Sequence, residues 1–338
     1  MKIGAIYATD VSNSFYRAIL PLHELERCGH TTVPIEIKER QPLRVAPLLD
    51  CDVVHIYRRT DAAVQKAVGE LRARGVGIVW DNDDDPRLIP PEAPKYKSLG
   101  GFHAERDFKS QGKIVRRAHV VTATTEYLAE RYAGAWGVEP VVVENYLSDH
   151  QFPRERASGE GFVIGWVAAG EHRADVNHLN MTQVLRRVME RDPRVRVVTL
   201  GVQLKLDPER YTHHTWVPFQ DLPAYMAGFD VGIAPIADIP FNLARSNIKV
   251  KEYAAAGIPW VASARGPYAD LGSRCGGMIV GDDEWEDTLV SLAGARFKKS
   301  QLRRRAVSWG KAQHLRHHIE RWEVVFEQAA AAAGRQVA

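Results

Sequence analysis

Three charged residues in one short segment have the types and the spacing of a phosphate-binding site. Arg245 and Lys249 lie four residues apart, and Glu252 follows Lys249 by three, so a helix would carry them on adjacent turns of one face. Ser246 is a suitable N-cap, and the sequence predicts a helix from there to Ala256. A helix N-terminus offers free N–H groups and a partial positive charge, which together with two cations would attract a phosphate.

The elements around this helix predict where its N-terminus lies. Residues 230–236 (DVGIAPI) and 258–263 (IPWVAS) are short apolar runs typical of buried strands, and Gly257 with Pro259 ends the helix before the second of them. In such a unit the helix begins at the carboxyl end of a strand, where open α/β sheets bind ligands. A diphosphate bound there would bring a ribose close to Glu252. The alternative interpretation is a surface helix with an ordinary Lys–Glu pair.

A second candidate group is the acidic segment 80–86 (WDNDDDP), which follows an apolar run. Carboxylates this close repel one another, so neighbouring groups must offset their charge or a pKa must rise. The residue types suit a Mg²⁺ site. The Asp-x-Asp spacing after an apolar strand also resembles the nucleophile loop of haloacid-dehalogenase-like phosphotransferases, with Asp81 as the nucleophile. The segment is similar as well to a loop of some GT-B N-terminal domains, which implies that Asp81, Asp83 and Asp84 face an acceptor substrate. We favour the acceptor loop, because a full predicted sheet separates this segment from the acidic segment 281–287, which could imitate the later phosphotransferase motif. A solvated acidic turn stays an alternative.

Length and composition predict two ordinary globular domains. The chain has 338 residues, of which 45% are hydrophobic and 26% charged, and this is enough for two cores. A net charge of +3 is too small to imply a nucleic-acid partner. No apolar run has the length of a membrane span and the N-terminus lacks a signal-peptide layout, so a cytoplasmic location is expected. Three widely separated cysteines fit reduced thiols and suggest no metal site.

Short apolar strands alternate with helical segments along the chain, which predicts parallel, doubly wound α/β sheets. The polar residues 153–161, with proline and glycine, predict a linker between two such domains. The expected divisions are residues 1–153, residues 154–308 and a C-terminal helical part, residues 309–338. Residues 88–107 are predicted to form a long loop, because they are rich in proline and glycine.

The segment 241–263 resembles the donor-binding signature of GT-B glycosyltransferases, near the family 4 group of retaining enzymes. The pattern FNxAKSxxKxxEYxAxGxPVVAS is matched by Phe241, Asn242, Ala244, Ser246, Lys249, Glu252, Tyr253, Ala255, Gly257, Pro259, Val261 and Ser263. Arg245 replaces the usual lysine and keeps its charge. Ala244 stands in place of the first acid of the common Glu-x7-Glu pair.

Other parts of the chain resemble the same group of proteins. The start of the second predicted sheet is similar to the GxxGxxxHxxD opening of related C-terminal domains, matched at Gly165, Ala168 (in place of glycine), His172 and Asp175. The strand–helix–strand start of the chain is similar to N-terminal GT-B domains, in which an arginine at the place of Arg17 and the loop before it, with Asn13 and Ser14, face the cleft. A solvated position in the first helical turn is an equal alternative for Arg17. The C-terminal helix resembles one that packs back on the N-terminal domain.

The resemblance implies an α/β fold of two Rossmann-like, doubly wound domains facing a cleft. It also implies that the protein transfers a sugar. A sugar would pass from a nucleotide-diphosphate donor to an acceptor, with Arg245 and Lys249 neutralising the leaving diphosphate and Glu252 holding the ribose. The other residues expected to bind the donor are Ser246, Asn247, Ile248, Gly170, His172, Phe241 and Asn242. The residues expected on the acceptor side are Asn13, Ser14 and Arg17, together with Asp81, Asp83 and Asp84.

The resemblance also implies retention of the anomeric configuration, no obligatory metal and no cofactor beside the nucleotide sugar. The expected partners are this donor and a small-molecule, glycan or lipid-linked acceptor, with no nucleic acid. The C-terminal region is basic, with Arg303, Arg304, Arg305, Lys311, Arg316 and Arg321, which predicts a solvated face or a weak contact with an anionic membrane. The remaining alternatives are a Mg²⁺-dependent phosphotransferase that uses Asp81 and a non-catalytic nucleotide-sugar binding protein.

Overall fold

The computed structural model describes residues 1–8, 14–38, 42–152 and 161–335 of the chain. It divides into two compact units. Unit 1 consists of Met1–Arg87, Gly101–Tyr146 and Leu315–Ala338, and unit 2 of Leu88–Gly100 and Leu147–His314. Asn13 and the expected domain boundary at residues 153 and 154 lie outside the described residues.

Unit 1 contains a sheet of six parallel strands within the described ranges. They are β1 (Lys2–Ala8), β2 (Thr31–Ile37), β3 (Val53–Tyr57), β4 (Gly77–Asn82), β5 (Val120–Ala123) and β6 (Val141–Val142), in the order β2-β1-β3-β4-β5-β6. All residues of β3 and β4 are buried, as expected of parallel strands that are covered on both faces. The predicted doubly wound arrangement is therefore confirmed for this unit.

Unit 2 contains a second sheet of six parallel strands among the described residues. They are β7 (Phe162–Ala168), β8 (Val195–Gly201), β9 (Tyr211–His214), β10 (Val231–Ala234), β11 (Trp260–Ser263) and β12 (Gly277–Val280). Their order, β9-β8-β7-β10-β11-β12, is that of a Rossmann fold. The strand order reverses between β7 and β10, and the crevice at such a switch point is where these folds bind ligands.

Helices connect the strands in both units. They are α1 (Leu20–Arg27), α2 (Ala62–Ala73), α3 (Tyr96–Leu99), α4 (Gly101–Val115), α5 (Glu126–Trp136), α6 (Arg173–His178), α7 (Met181–Arg191), α8 (Leu222–Met226), α9 (Pro240–Leu243), α10 (Ile248–Ala255), α11 (Trp285–Gly294), α12 (Arg296–Ala312) and α13 (Glu320–Ala332). Among the described residues, no helix is both long enough and apolar enough to cross a membrane.

The predicted loop over residues 88–107 is wrong, because most of it is helical. Helix α3 and the first half of α4 occupy its C-terminal part. Ala104, Phe108 and Val115 are buried along one face of α4, at the spacing of four and seven residues that defines an apolar helix stripe. The prolines at the start of the segment and the two glycines at positions 100 and 101 hid this periodicity in the sequence.

Helix α13 belongs to unit 1, although it comes after the whole of unit 2 in the chain. Trp322, Phe326 and Ala329 are buried in the core of unit 1. Gly77 of β4 allows the close approach, since a Cβ there would lie 2.7 Å from the backbone of Ala329. Burial of each aromatic side chain contributes about 1.5–3 kcal/mol, so this helix is part of the core rather than an appendage.

Candidate functional site

Helix α10 begins beyond the carboxyl end of β10, next to the switch point of the unit 2 sheet. Its N-cap is Asn247, without a side-chain capping bond, so the prediction of Ser246 as the N-cap is wrong by one residue. The predicted C-terminal end is confirmed, because Gly257 follows the helix with a positive φ of 68°. The helix N-terminus therefore directs its first N–H groups to the edge of the sheet where ligands bind.

Two residues of the signature hold α10 in place. The Tyr253 hydroxyl accepts a hydrogen bond from the Val167 N–H of β7 and donates one to the Ile233 carbonyl of β10, at 3.0 and 3.2 Å. Ser263 Oγ accepts a hydrogen bond from the Ile236 N–H at 2.9 Å. These buried bonds tie the helix and the end of β10 to the strands on both sides of the switch point, which keeps the helix N-terminus in a fixed position.

Lys249 and Glu252 form an ion pair on the first turns of α10. The Lys249 Nζ lies 2.8 Å from the Glu252 Oε2. The Glu252 side chain is 4% exposed and the Lys249 side chain 22% exposed, so the cation lies nearer to solvent than the carboxylate. A buried carboxylate needs such partners, because it has lost most of its hydration. The pair places a cation at the surface of the site and an acceptor one turn deeper.

Arg245 precedes the helix and lies over an aromatic ring. Its guanidinium carbon is 5.1 Å from the centre of the Phe241 ring, and Phe241 is itself buried. This cation–π contact orients the planar guanidinium. In the described part of the chain, no ion pair or side-chain hydrogen bond of Arg245 accompanies this contact, so its N–H groups can bind an anion.

His172, Asp175 and Asn242 form a buried hydrogen-bond network beside these cations. His172 Nδ1 lies 2.6 Å from Asp175 Oδ2, and Asp175 Oδ1 accepts bonds from the Asn242 amide at 2.7 Å and from the Ala237 N–H at 2.8 Å. Burial alone would raise the pKa of Asp175, but these hydrogen bonds lower it on balance. Asp175 is therefore an anion, and it accepts a hydrogen bond from the Nδ1–H group of His172.

The surroundings of His172 favour its neutral imidazole. Burial lowers its pKa, and the nearby positive charge of Arg245 lowers it further, whereas the bond to Asp175 opposes this shift. Since Nδ1 donates to Asp175, Nε2 carries the lone pair and can accept a hydrogen bond. The network thus fixes one tautomer of a histidine that lies in the field of the two cations.

Sequence reasoning missed two residues of this site. Tyr268 ends a short 3-10 helix, Gly266–Tyr268, after β11 and is buried. Burial raises its pKa, and its hydroxyl feels the charges of Arg245, Asp175 and Glu252. Glu171 follows β7, and a backbone hydrogen bond together with the positive charges of Lys95 and Arg245 lowers its pKa against the effect of burial. Their positions directly after β11 and β7, at the carboxyl edge of the sheet, could have identified them.

The residues expected to bind the donor all lie in unit 2, around the carboxyl ends of β7 and β10. They are Arg245, Ser246, Asn247, Ile248, Lys249 and Glu252 at α10, Phe241 and Asn242 on α9, and Gly170 and His172 in the 3-10 helix Gly170–His172. Asn242 and Phe241 are buried; the Asn242 amide donates to Asp175 and to the Ala237 carbonyl, and the Phe241 ring lies against the Arg245 guanidinium. Their contacts position His172 and Arg245, and direct donor binding by them stays a prediction.

Asp81 and Arg17 form a separate, buried ion pair in unit 1. Asp81 accepts hydrogen bonds from Arg17 Nε and Nη2 at 3.0 and 2.6 Å and from the Thr122 hydroxyl at 2.6 Å. Both charged side chains are fully buried. Burial would raise the pKa of Asp81, but Arg17 and His55 hold it well below its ordinary value. Arg17 lies in a π-helix, Phe15–Ile19, and is not the solvated residue of the alternative interpretation.

The other aspartates of this segment also have arginine partners. Asp83 and Asp84 lie 2.6 and 3.7 Å from Arg58, and Asp85 pairs with Arg87 and Arg131. Arginines therefore offset the repulsion that the sequence predicts. Within the described ranges, no group of three or more His, Cys, Asp or Glu side chains is arranged to hold a metal.

The burial and contacts of these aspartates bear on their predicted roles as a nucleophile or as acceptor-side residues. A nucleophile must reach its substrate, and Asp81 has no exposed surface, so the geometry does not favour the phosphotransferase alternative. The Asp84 side chain is 35% exposed and is the most accessible of the three predicted acceptor-side aspartates. Ser14 is buried and donates to the Ala8 carbonyl at 2.7 Å. The acceptor-side roles of all these residues stay predictions.

The basic C-terminal region is divided between the two units. Arg303, Arg304, Arg305 and Lys311 lie on α12 in unit 2, and Arg316 and Arg321 lie in unit 1. Helix α12 has seven cations and no acidic residue, and Arg304, Arg305 and Lys311 are exposed. A solvated face explains this pattern, and contact with an anionic membrane stays a prediction.

Comparison with known proteins identifies the fold. No family model matches the sequence, and no curated protein matches it by sequence. The fold is similar to that of HepE from Anabaena in complex with UDP and glucose, with a TM-score of 0.65 and 13% identity over 96% of this chain and 98% of that chain. It is also similar to the E. coli trehalose-6-phosphate protein bound with UDP-2-fluoro glucose (TM-score 0.62, 12% identity, 97% and 99% of the two chains).

A third similar structure is a Listeria monocytogenes protein described as a UDP-N-acetylglucosamine 2-epimerase (TM-score 0.58, 11% identity, 96% and 95% of the two chains). The strand orders of both units and these full-length similarities show that the chain has the GT-B fold, with two Rossmann-like domains. At these identities the likeness establishes the fold, and the chemistry has to be argued from the site.

Proposed function

We propose that the protein is a glycosyltransferase that moves a sugar from a nucleotide-diphosphate sugar to an acceptor. The observation that carries this proposal is the N-terminus of α10, where Arg245 and Lys249 stand beside the first N–H groups and Glu252 lies buried one turn deeper. The presence of UDP or a UDP-sugar in structures of similar fold supports the same assignment.

The cationic helix N-terminus suits the leaving group of this reaction. When the bond between the anomeric carbon and the phosphate oxygen breaks, the electron pair stays on the diphosphate, which gains negative charge. Arg245 can bind two phosphate oxygens with its planar guanidinium, and Lys249 acts as a point charge. Groups that are already oriented towards this developing charge stabilise the transition state more than the bound donor.

Glu252 and His172 suit the neutral parts of the donor. A carboxylate one turn below the diphosphate can accept hydrogen bonds from both hydroxyls of a ribose. Lys249 has three N–H donors, so it can keep Glu252 as a partner while it binds a phosphate oxygen. The neutral Nε2 of His172 can accept a hydrogen bond from a sugar hydroxyl, because Asp175 holds the proton of the ring on Nδ1.

We extend the proposal to retention of the anomeric configuration and to a reaction without an obligatory metal. The family resemblance implies both, and two fixed cations can supply the charge stabilisation that a Mg²⁺ bridge supplies elsewhere. No residue is assigned as a covalent nucleophile. Turnover should therefore persist in EDTA, and loss of turnover that Mg²⁺ alone restores would contradict this part of the proposal.

The proposal is tested first by binding and then by turnover. In a thermal-shift screen with UDP, GDP, ADP and their sugar conjugates, the ligands that carry one of the three bases should raise the melting temperature of the protein. The sugar conjugate of that base should then release its nucleoside diphosphate faster when a panel of acceptors is added. Binding without turnover would favour a non-catalytic binding protein. A change in the sugar without an acceptor would favour an epimerase, and Mg²⁺-dependent hydrolysis of a generic phosphoester would favour a phosphotransferase.

A further inference from the structure

The segment Leu88–Gly100 belongs to unit 2, although the residues on both sides of it in the sequence belong to unit 1. We call this segment the strap. It contains a short helix, α3, and several of its residues contact elements that carry the candidate donor site. The sequence suggested only a loop here, and neither the proposed chemistry nor the family resemblance uses these residues.

Apolar contacts connect the strap to the residue that orients Arg245. Ile89 and Ala93 form a small buried cluster with Phe241, and Tyr96 packs against it. The Phe241 ring is the one over which the Arg245 guanidinium lies, at 5.1 Å. Removal of side-chain volume from the strap would therefore loosen the ring on which the cation lies.

A second set of contacts connects the strap to the 3-10 helix Gly170–His172. A Cβ on Gly170 would lie 3.0 Å from the Pro94 ring, so the strap passes close to the backbone there. The Lys95 Nζ lies 3.6 Å from Glu171 Oε1. The charges of both Lys95 and Arg245 act on Glu171, so it interacts with the strap and with one of the cations of the proposed diphosphate site.

We propose that the strap completes the donor site by two effects, and this inference rests on the proposed function. Its apolar residues hold Phe241, and through it Arg245, in the orientation that binds a diphosphate. Its Lys95 offsets the negative charge of Glu171, which would otherwise repel a diphosphate that approaches Arg245. Lys95 and Ile89 are thus positioning residues for the nucleotide-diphosphate part of the donor.

The charge effect makes a prediction that a purely structural role does not make. Lys95→Ala removes one of the cations that offset the charge of Glu171, so the dissociation constant of the nucleoside diphosphate should rise about threefold at low salt and less at high salt. Glu171→Gln removes the repelling charge. In that background, Lys95→Ala should have no further effect, because the lysine then has no charge to offset.

The measurement is calorimetric titration of the full-length chain with UDP, GDP and ADP, and of each variant with the nucleotide that binds. Lys97→Ala is the matched control, since Lys97 is an exposed lysine two residues away on the strap. Ile89→Ala should raise the dissociation constant about fivefold. The substitution removes a few carbon atoms that pack against Phe241, and the Phe241 ring orients the Arg245 guanidinium. Should that variant fail to fold, the Lys95 and Glu171 variants, which change exposed or partly exposed side chains, still decide the question.

The outcomes separate the two proposals. If the wild-type chain binds none of the three nucleotides, the proposed function and the strap are both overturned. If it binds one of them, and Lys95→Ala behaves like Lys97→Ala at low salt, the strap alone is overturned. Equal effects of Lys95→Ala in the wild-type chain and in the Glu171→Gln variant would also contradict the charge mechanism.

Discussion

Lys249 and Glu252 already bind each other before any ligand arrives, which sets what each can do when a donor binds. The pair is 2.8 Å long and its carboxylate is buried, so Glu252 enters the site with its charge balanced. A ribose then adds hydrogen bonds to a carboxylate that needs no further desolvation. A ribose can therefore bind to Glu252 without a large loss of folding stability.

Glu252→Gln should weaken donor binding while the protein stays folded. The amide keeps the size of the carboxylate but loses its charge and half of its acceptor capacity, so most of the affinity for the nucleotide sugar should disappear. The melting temperature should fall only slightly, because Lys249 can turn towards solvent. Titration and thermal melts of this variant, with Glu190→Gln as an exposed control, check both points. Unchanged donor affinity in the folded variant would remove Glu252 from the site.

His172 should give the donor site a pH dependence. Burial and the charge of Arg245 lower its pKa in the folded protein, so the unfolded chain takes up this proton at a higher pH. The free energy of unfolding should therefore rise with pH from the lowered folded value to about 6.5, the ordinary value for histidine. Donor affinity should fall as the pH drops through the folded value, because protonated Nε2 cannot accept a hydrogen bond.

The donor KM measured from about pH 5 to about pH 8 checks this prediction. His172→Gln should flatten the acidic part of the profile, whereas His178→Gln, a change at an exposed position on α6, should leave it intact. An identical acidic limb in wild type and His172→Gln would mean that another group controls the pH dependence.

At the scale of elements, the buried pair of Arg17 and Asp81 connects four parts of unit 1. Asp81 lies near the carboxyl end of β4 and binds Thr122 of β5, and Arg17 extends from the π-helix to the Val143 carbonyl and to Asn145 after β6. The network fixes the carboxyl ends of these strands relative to one another. It therefore supports any acceptor-binding loops that follow those strands.

Asp81→Asn should destabilise unit 1 rather than only slow a reaction. The substitution leaves the Arg17 guanidinium buried without its counter-ion, and loss of one partner of a buried pair costs about 3–5 kcal/mol of unfolding free energy. Chemical denaturation, with exposed Asp50→Asn as the control, measures the effect. A variant with wild-type stability and abolished turnover would contradict this interpretation and would restore Asp81 as a catalytic candidate.

At the scale of the whole molecule, the sequence was sufficient to predict the alternating strands and helices and the strand–helix–strand segment around α10. The apolar runs at β3, β4, β10 and β11 predicted buried parallel strands, and Gly257 marked the end of α10. Local signals carry this information, because a buried strand and a helix C-terminus depend on neighbouring residues.

Long-range packing explains what the sequence did not predict. The strap lies in unit 2 because Ile89 and Ala93 pack on Phe241, which comes much later in the chain, and no local pattern encodes this pairing. The same holds for Asp81, because its partner Arg17 comes from a distant part of the chain and makes it one half of a buried ion pair. Similarly, Asn242 belongs to the donor signature, yet its described bonds go to Asp175 and to the Ala237 carbonyl.

The central claim is that the α10 N-terminus stabilises a leaving diphosphate, and kinetics of Lys249→Ala test it most directly. The measurement is kcat and donor KM for wild type, Lys249→Ala and the exposed control Lys205→Ala, with nucleoside-diphosphate affinity measured separately. Because negative charge develops on the diphosphate as the bond breaks, Lys249→Ala should lower kcat as well as raise KM, with a loss of about 2–4 kcal/mol in transition-state stabilisation. Arg245→Lys should be milder, since it keeps the charge. A full kcat with only a raised KM in Lys249→Ala would make Lys249 a binding contact and contradict the leaving-group role.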